Sequence, residues 1–272
     1  MNITIKSSRT VGGRIAAPPS KSMAHRAVLC AALAKGTSHL HHLAFSKDIS
    51  ATLGAAGRLC ARVTTGENDA VVEGLGRFLP VDAPVDCCES GSTLRFLIPL
   101  ASLTGQEVTF TGRGRLMERP QGPYIRLFEE KGILWNQEGA CLTVEGQLEP
   151  GVYALPGNVS SQFITGLLYA LPLLPGDSRI VLTTPLESRG YVDMTLDMLR
   201  RFDIKVEEQE DGFLVPGNQT YQARDLTLEA DWSGAAFWYA ANFLGAQVDI
   251  QGLNPDSVQG DRQIGTLYWK LG

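Results

Sequence analysis

The segment Ala17-Pro18-Pro19-Ser20-Lys21-Ser22 sets two prolines ahead of a helix start, then places a hydroxyl, an ammonium and a second hydroxyl in its first turn. Arg26, four residues beyond Ser22, faces the same side of that helix. Two cations, hydroxyls and unpaired helix-start N–H groups together suit a phosphate or a carboxylate, although a capped helix with solvated charges is the plainer alternative. Glu89-Ser90-Gly91-Ser92-Thr93-Leu94-Arg95 repeats the theme, with a glycine where backbone must come close to something. The loop from Gly112 to Pro120 carries Arg113, Arg115 and Arg119, and the proline after Arg119 holds that residue extended. A fixed guanidinium suits bidentate recognition of a carboxylate; a surface salt bridge is the commoner fate of a loop arginine. Asn158-Val159-Ser160-Ser161-Gln162 offers hydroxyls and an amide able to read sugar-like hydroxyls, and Ser188-Arg189-Gly190-Tyr191 adds a hydroxyl, a cation and a phenol.

These residues need helices behind them, and the sequence supplies helices at a regular interval. Ser22, Ser92, Ser161 and Ser233 each sit where a Ser-rich turn runs into an apolar helical pattern, about every 70 residues, which reads as an internal repeat. Within the first repeat the pattern predicts helices over 23–34 and 48–60, then short strands near 61–64 and 70–73. The second gives helices over 93–103 and 124–131 with strands at 107–111, 133–136 and 141–145. The third gives helices over 163–171 and 192–202 with strands at 179–183, 204–208 and 213–215. A fourth begins with a helix over 234–242, a strand over 247–251 and a helix over 263–270, and lacks a closing hairpin. The expected class is α/β (α+β) with repeated βαβαββ units: one complete three-unit lobe over 14–225, and a truncated second lobe from 1–13 and 226–272. Gly12-Gly13 and Gln222-Ala223-Arg224 are the expected crossing points, and Met1–Lys6 alternates like a strand.

The 272 residues carry a net charge of −5, and no long basic stripe argues for nucleic acid as a partner. No run approaches the roughly 18 apolar residues of a membrane span, and the N-terminus lacks the apolar core of a signal peptide, so a cytoplasmic location is expected. Five cysteines without a paired C-x-x-C suggest neither a disulfide framework nor a zinc site, and Cys30 and Cys60 read as core residues. His25, His39, His41 and His42 have no metal-ligand spacing, so no metal is expected.

Lys21-Ser22-x-x-x-Arg26, Ser90-Gly91-Ser92-x-x-Arg95, Arg115-Leu116-Met117-x-Arg119-Pro120, Ser160-Ser161-Gln162, Ser188-x-x-Tyr191 and Ser257-Val258-Gln259-Gly260-Asp261 stand in order along the chain. In these motifs and their spacing the chain resembles the 5-enolpyruvylshikimate-3-phosphate (EPSP) synthases, the 3-phosphoshikimate 1-carboxyvinyltransferases of the shikimate pathway. The resemblance implies a two-lobed fold of six such units with ligands between the lobes. It implies transfer of the carboxyvinyl group of phosphoenolpyruvate to the 5-hydroxyl of shikimate-3-phosphate with release of phosphate, without metal or organic cofactor, by a protein that is monomeric at full length. Matched by motif, Lys21 would touch both substrates; Ser22, Arg26, Ser160, Ser161, Gln162, Ser188 and Tyr191 would hold shikimate-3-phosphate; Gly91, Arg119 and Gln162 would hold phosphoenolpyruvate. Glu89 stands where many relatives have Asn and brings a negative charge that a nearby arginine could pair. The second half of the family pattern, with its proton-transfer acids, has no counterpart here, so this form is expected to be catalytically incompetent. Two alternatives are a related transferase acting on UDP-N-acetylglucosamine, disfavoured by Ser22-Met23 and Leu116-Met117-Glu118, and a non-catalytic assembly module requiring a separate C-terminal chain.

Overall fold

Three helices of this chain are apolar on nearly every side, and the fold is built to surround them. The computed structural model describes residues 11–271, so the strand expected at Met1–Lys6 lies outside the described residues. The chain opens with strand β1 (Gly12–Ala16), helix α1 (Lys21–Leu33), strand β2 (Lys35–His41), helix α2 (Lys47–Leu59) and the hairpin of β3 (Ala61–Thr65) and β4 (Asp69–Leu75). Next come β5 (Val85–Asp86), α3 (Gly91–Ala101), β6 (Val108–Thr111), α4 (Gly122–Glu130), β7 (Leu134–Glu138) and β8 (Cys141–Glu145). They are followed by β9 (Val152–Leu155), α5 (Ser161–Ala170), β10 (Ser178–Leu182), α6 (Arg189–Arg201), β11 (Glu207–Gln209) and β12 (Gly212–Val215). The chain continues through β13 (Asp225–Thr227), α7 (Trp232–Phe243), β14 (Gln247–Gln251), a 3-10 turn at Gly260–Arg262 and α8 (Gln263–Leu271).

Helices α1, α3 and α5 are buried along almost their whole circumference, from Met23 to Leu33 in the first case, so they form the centre. Helices α2, α4 and α6 are amphipathic and lie outside them. Three four-stranded sheets, ordered β13-β2-β4-β3, β5-β6-β8-β7 and β9-β10-β12-β11, carry the same pattern of one parallel and two antiparallel pairings. The helices fall within a few residues of their expected positions. The missed strands are β1, β2, β5, β9 and β13, several of them too short to show a period of two.

The strand that precedes each central helix normally pairs with the strand that follows it, as β5 does with β6 and β9 with β10. At α1 that rule is broken by an exchange. Strand β1 pairs in parallel with β14, and its place beside β2 is filled by β13 from far along the chain. Residues 12–16 thus pair with β14, and 225–227 pair into the first sheet.

A proline and a glycine fix how the central helices meet. Pro99 inside α3 has no N–H for the carbonyl of Arg95, and the Tyr124 hydroxyl of α4 lies 2.9 Å from it and 2.9 Å from the carbonyl of Phe163 in α5. Gly166 of α5 permits this approach, because a Cβ there would stand 2.2 Å from the Tyr124 hydroxyl and 2.5 Å from the Arg95 carbonyl.

Burial becomes sparse beyond the three four-stranded sheets. Helix α7 buries only Trp232 and Ala235, and α8 buries no residue. Phe237, Leu244 and Trp269 are 80%, 85% and 81% exposed, large apolar side chains that face solvent. Replacing Phe237 and Trp269 together with serine is expected to reduce binding of a hydrophobic dye while shifting the melting temperature by no more than about 2 °C, as for substitutions outside a core. A larger loss in a thermal melt would show that these side chains are packed.

Candidate functional site

Helix starts leave N–H groups without intrahelical partners, and in this chain side chains cap them at matching positions. Ser20 Oγ accepts from Met23 N–H at 3.4 Å, Ser90 Oγ from Thr93 N–H at 3.2 Å, Ser160 Oγ from Gln162 N–H at 3.3 Å and Asp231 Oδ1 from Ser233 N–H at 3.1 Å. Side-chain contacts then tie neighbouring starts together. Lys21 Nζ donates to Asp48 Oδ2 at 2.9 Å, joining α1 to α2. Gln162 Nε2 donates to Ser92 Oγ at 3.0 Å, joining α5 to α3. Arg26 joins α1 to α6, donating from Nε to Thr195 Oγ1 at 2.9 Å and from Nη2 to the Tyr191 carbonyl at 2.7 Å, while Nη1 reaches the Ser22 carbonyl at 2.7 Å.

At these helix starts the structure brings the predicted residues together in two groups of three. In the first, the Gly91 backbone, Arg119 and Gln162 meet: a Cβ at 91 would stand 2.6 Å from Arg119 Nη1 and 3.7 Å from Gln162 Oε1. Arg113 and Arg115 are taken up by Asp86 at 2.7 Å and Glu118 at 2.8 Å, the ordinary fate of loop arginines, whereas Arg119 lies over the start of α3. In the second, Ser22, Ser188 and Tyr191 line a cavity of about 180 Å³ with Ser233, Gln259 and Asp261. Ser188 caps no amide; at φ 55° it is held in left-handed backbone, which aims the start of α6 at this cavity. Ser160 is occupied by capping, and Ser161 is buried in the first turn of α5. Glu89 packs its carboxylate against Gly114, beside a cleft that Lys47, Cys88 and Arg113 share.

The electrostatics are unusual for an acidic chain. Arg26 is buried, and every hydrogen bond it makes goes to a neutral oxygen. Arg95 is held in the same way, by Gln121 Oε1 at 3.2 Å, Gln162 Oε1 at 2.8 Å and the Pro120 carbonyl at 2.9 Å, with its guanidinium 4.7 Å from the Phe163 ring centre. Neither enters an ion pair among the described residues. Burial lowers the pKa of both, and the nearby Arg119 pushes Arg95 the same way. These two positive charges lie near helix starts and are not neutralised by a carboxylate among the described residues.

Sequence reasoning assigned no role to Asp48, Arg95, Thr52, Thr93 or Thr195. Arg95 stood in a quoted motif, whereas Asp48 lies 27 residues from Lys21 and carries no local signal. His25 is buried. Its Nδ1 lies 2.7 Å from Thr52 Oγ1, which is 2.7 Å from Thr93 Oγ1, which donates to Ser90 Oγ at 2.7 Å. This chain of contacts links α1, α2 and α3 just behind Lys21, Asp48 and Gly91. Among the described residues no group of three or more His, Cys, Asp or Glu is placed to hold a metal ion, and no helix is long and apolar enough to cross a membrane.

The sequence model of the EPSP synthase (3-phosphoshikimate 1-carboxyvinyltransferase) family matches residues 5–268. The chain belongs to the EPSP synthase family. Within this family it is 46% identical over 263 residues to the 3-phosphoshikimate 1-carboxyvinyltransferase of Clostridium kluyveri, covering 96% of this chain and 62% of that protein. It is 43% identical over 274 residues to the enzyme of the same name from Clostridium novyi, covering 96% and 63%. The chain thus spans under two thirds of the length of these relatives. An EPSP synthase structure from Acinetobacter baumannii superposes with a TM-score of 0.78 at 23% identity, over 90% of this chain and 57% of that one, a likeness of fold.

Two outcomes test this geometry. Gly91→Ala is expected to push Arg119 aside, visible in a crystal structure, while leaving stability within about 0.5 kcal/mol, because the atom displaced is the end of a flexible side chain. An unmoved guanidinium would contradict it. His25, lowered to about 3 from 6.5 by burial and then by Arg26, stays neutral in the fold while the unfolded chain takes up a proton below about pH 6.5. Its contribution is complete above that pH and is lost as pH falls toward 3, on the order of a few kcal/mol. Urea unfolding at a series of pH values should show a slope that His25→Gln flattens.

Proposed function

We propose that these two groups of residues bind shikimate-3-phosphate and phosphoenolpyruvate side by side, and that the protein serves transfer of the carboxyvinyl group to the 5-hydroxyl. The observation that carries this reading is the pair of guanidinium groups, Arg26 and Arg95, bonded only to neutral oxygens beside capped helix starts. Two polyanionic substrates repel each other, and a site that draws them together needs fixed positive charge that its own carboxylates do not cancel.

In this reading the cavity bordered by Ser22, Ser188 and Tyr191 takes the phosphorylated ring, with Ser160, Ser161 and Gln162 completing it from α5. Arg26 contributes its charge and fixes the backbone of Ser22 and Tyr191, since its donors are already engaged. Phosphoenolpyruvate lies over Gly91 between Arg119 and Gln162, where only a glycine leaves room. Lys21, read as lying between the two groups, exchanges Asp48 for substrate oxygens. The 5-hydroxyl adds across the C2–C3 double bond of phosphoenolpyruvate, its oxygen bonding to C2 while C3 takes up a proton; a proton then leaves C3 as the bond from C2 to the phosphate oxygen breaks, which restores the double bond and releases inorganic phosphate. Proximity and preorganised charge are this lobe's contribution to that sequence.

The three-sheet body and the β1–β14 pair are read as parts of two lobes that meet at this site. The exposed apolar side chains of α7 and α8 favour a second lobe completed by further structure, whether in the same polypeptide or in a separate chain. Alone, the 272 residues are read as binding shikimate-3-phosphate weakly without turnover. Calorimetry should detect that ligand in the millimolar range or better, and Lys21→Met should weaken it roughly ten- to hundredfold, as expected for a lost charge-assisted hydrogen bond. Absence of heat up to millimolar ligand would remove the substrate assignment, and phosphate release on mixing both substrates with the chain would remove the claim of inactivity.

A further inference from the structure

The chain crosses between the three-sheet body and the β1–β14 pair at two places, and the two passes run side by side. Pro19 bridges Ala230, Ser20 N–H donates to the Glu229 carbonyl at 2.9 Å, and Asp231 N–H donates to the Pro18 carbonyl at 2.7 Å. Against this double strand lies Gln259, a buried residue of the motif Ser257-Val258-Gln259-Gly260-Asp261, to which the substrate reading assigns no role. Its Oε1 accepts from the Ser20 hydroxyl at 3.1 Å and from Trp232 N–H at 3.2 Å. Its Nε2 donates to the Ala230 carbonyl at 2.8 Å and to Glu229 Oε1 at 3.0 Å.

The chemistry of these partners allows only one orientation of the amide. Trp232 N–H can only donate, while the Ala230 carbonyl and the Glu229 carboxylate can only accept, so a flipped amide would face like against like. All four hydrogen-bonding positions of the side chain are filled, which leaves none for a ligand. The two donors it accepts belong to two different helix starts. Ser20 is the cap of α1, the helix of Lys21, Ser22 and Arg26; Trp232 is the first residue of α7. Glu229 is itself held by Ser257 Oγ at 2.7 Å and Asn254 Nδ2 at 3.0 Å. Immediately beyond Gln259, Gly260 lies against Gly190 at the start of α6, and Asp261 accepts from the Ser233 hydroxyl. Gln259 thus sits where the wall of the cavity made by α1 and α6 meets the wall made by α7 and the 257–261 segment.

We propose that Gln259 is a positioning residue: one amide sets the starts of α1 and α7 relative to each other, and so sets the two walls of the cavity for their ligand. The identity of that ligand rests on the substrate reading above; the joint itself does not. A residue of purely local structural value would stabilise the chain without tying one helix start to the other. Gln259→Met keeps the length and apolar volume and removes all four hydrogen bonds. The double exchange of Gln259→Glu with Glu229→Gln restores a donor facing an acceptor across the same contact.

Hydrogen exchange measured by mass spectrometry on the whole chain reads the joint without any ligand. In Gln259→Met the first turns of both α1 and α7 should exchange about tenfold faster or more, with α3 and α5 unchanged, and the double exchange should return part of the protection at both. Calorimetry with shikimate-3-phosphate as the probe should show about a tenfold weaker Kd in Gln259→Met and at least a threefold recovery in the double exchange. Faster exchange at only one helix start, a uniform rise across the core, or an unchanged Kd in Gln259→Met would each overturn the proposal. If the unmodified chain takes up no shikimate-3-phosphate, the substrate reading fails and the exchange pattern alone decides the joint.

Discussion

A guanidinium that is buried without a carboxylate is the constraint on which the rest of this structure depends. Removing a charge from water is costly, and Arg26 offsets that cost only through three neutral oxygens, supplied by Thr195, Ser22 and Tyr191, and through the Phe96 ring 5.6 Å away. Those acceptors come from α1 itself and from the first two turns of α6, while Phe96 comes from α3. Three helices must therefore meet at one place for the charge to be tolerated. Threonines extend the arrangement: Thr195 lies 2.9 Å from Thr165 of α5, just as Thr52 and Thr93 extend the contact made by His25. These threonine hydroxyls pair with one another without adding a charge.

This choice separates scaffold from site. Carboxylates would have been better partners for Arg26 and Arg95 in isolation, and would have cancelled the field that an anionic ligand needs. At the rim Asp48 faces Lys21, whose ammonium is half exposed and sits on a flexible stem, so that pair can be exchanged for a ligand at small cost. Firmly fixed cations are bonded neutrally, and the mobile cation is bonded to an acid.

Much of this was legible in the sequence because helix starts and apolar helices are written locally. A proline pair, a capping serine and a run such as Met23 to Leu33 need no distant information, and the spacing of Ser20, Ser90, Ser160 and Asp231 follows from them. The motifs that carried the resemblance are the same local features. What stayed hidden depends on pairing across the chain. Val85–Asp86 and Asp225–Thr227 are strands only because a partner holds them, and Lys35–His41, rich in polar residues, alternates too weakly to declare itself. Asp48 is likewise an ordinary first-turn acid until the fold sets it against Lys21. The role of Arg119 was open between a surface pair and a ligand site because both begin with an arginine in a loop; its position over Gly91 is a property of three dimensions.

The exchange of β1 with β13 has a consequence for the order in which this polypeptide acquires its shape. The second and third sheets draw all their strands from consecutive stretches, so each can close soon after it leaves the ribosome. The first sheet cannot, because Arg224, which enters it just before β13, bonds to Ser38 from 186 residues away. Of the three four-stranded sheets, the one whose first strands come earliest in the chain is thus completed last. Through most of synthesis, β2 presents an open flank that only the returning chain can occupy. The same closure ties down the start of α1, so the Lys21 end of the site comes into register only when nearly the whole body has been made.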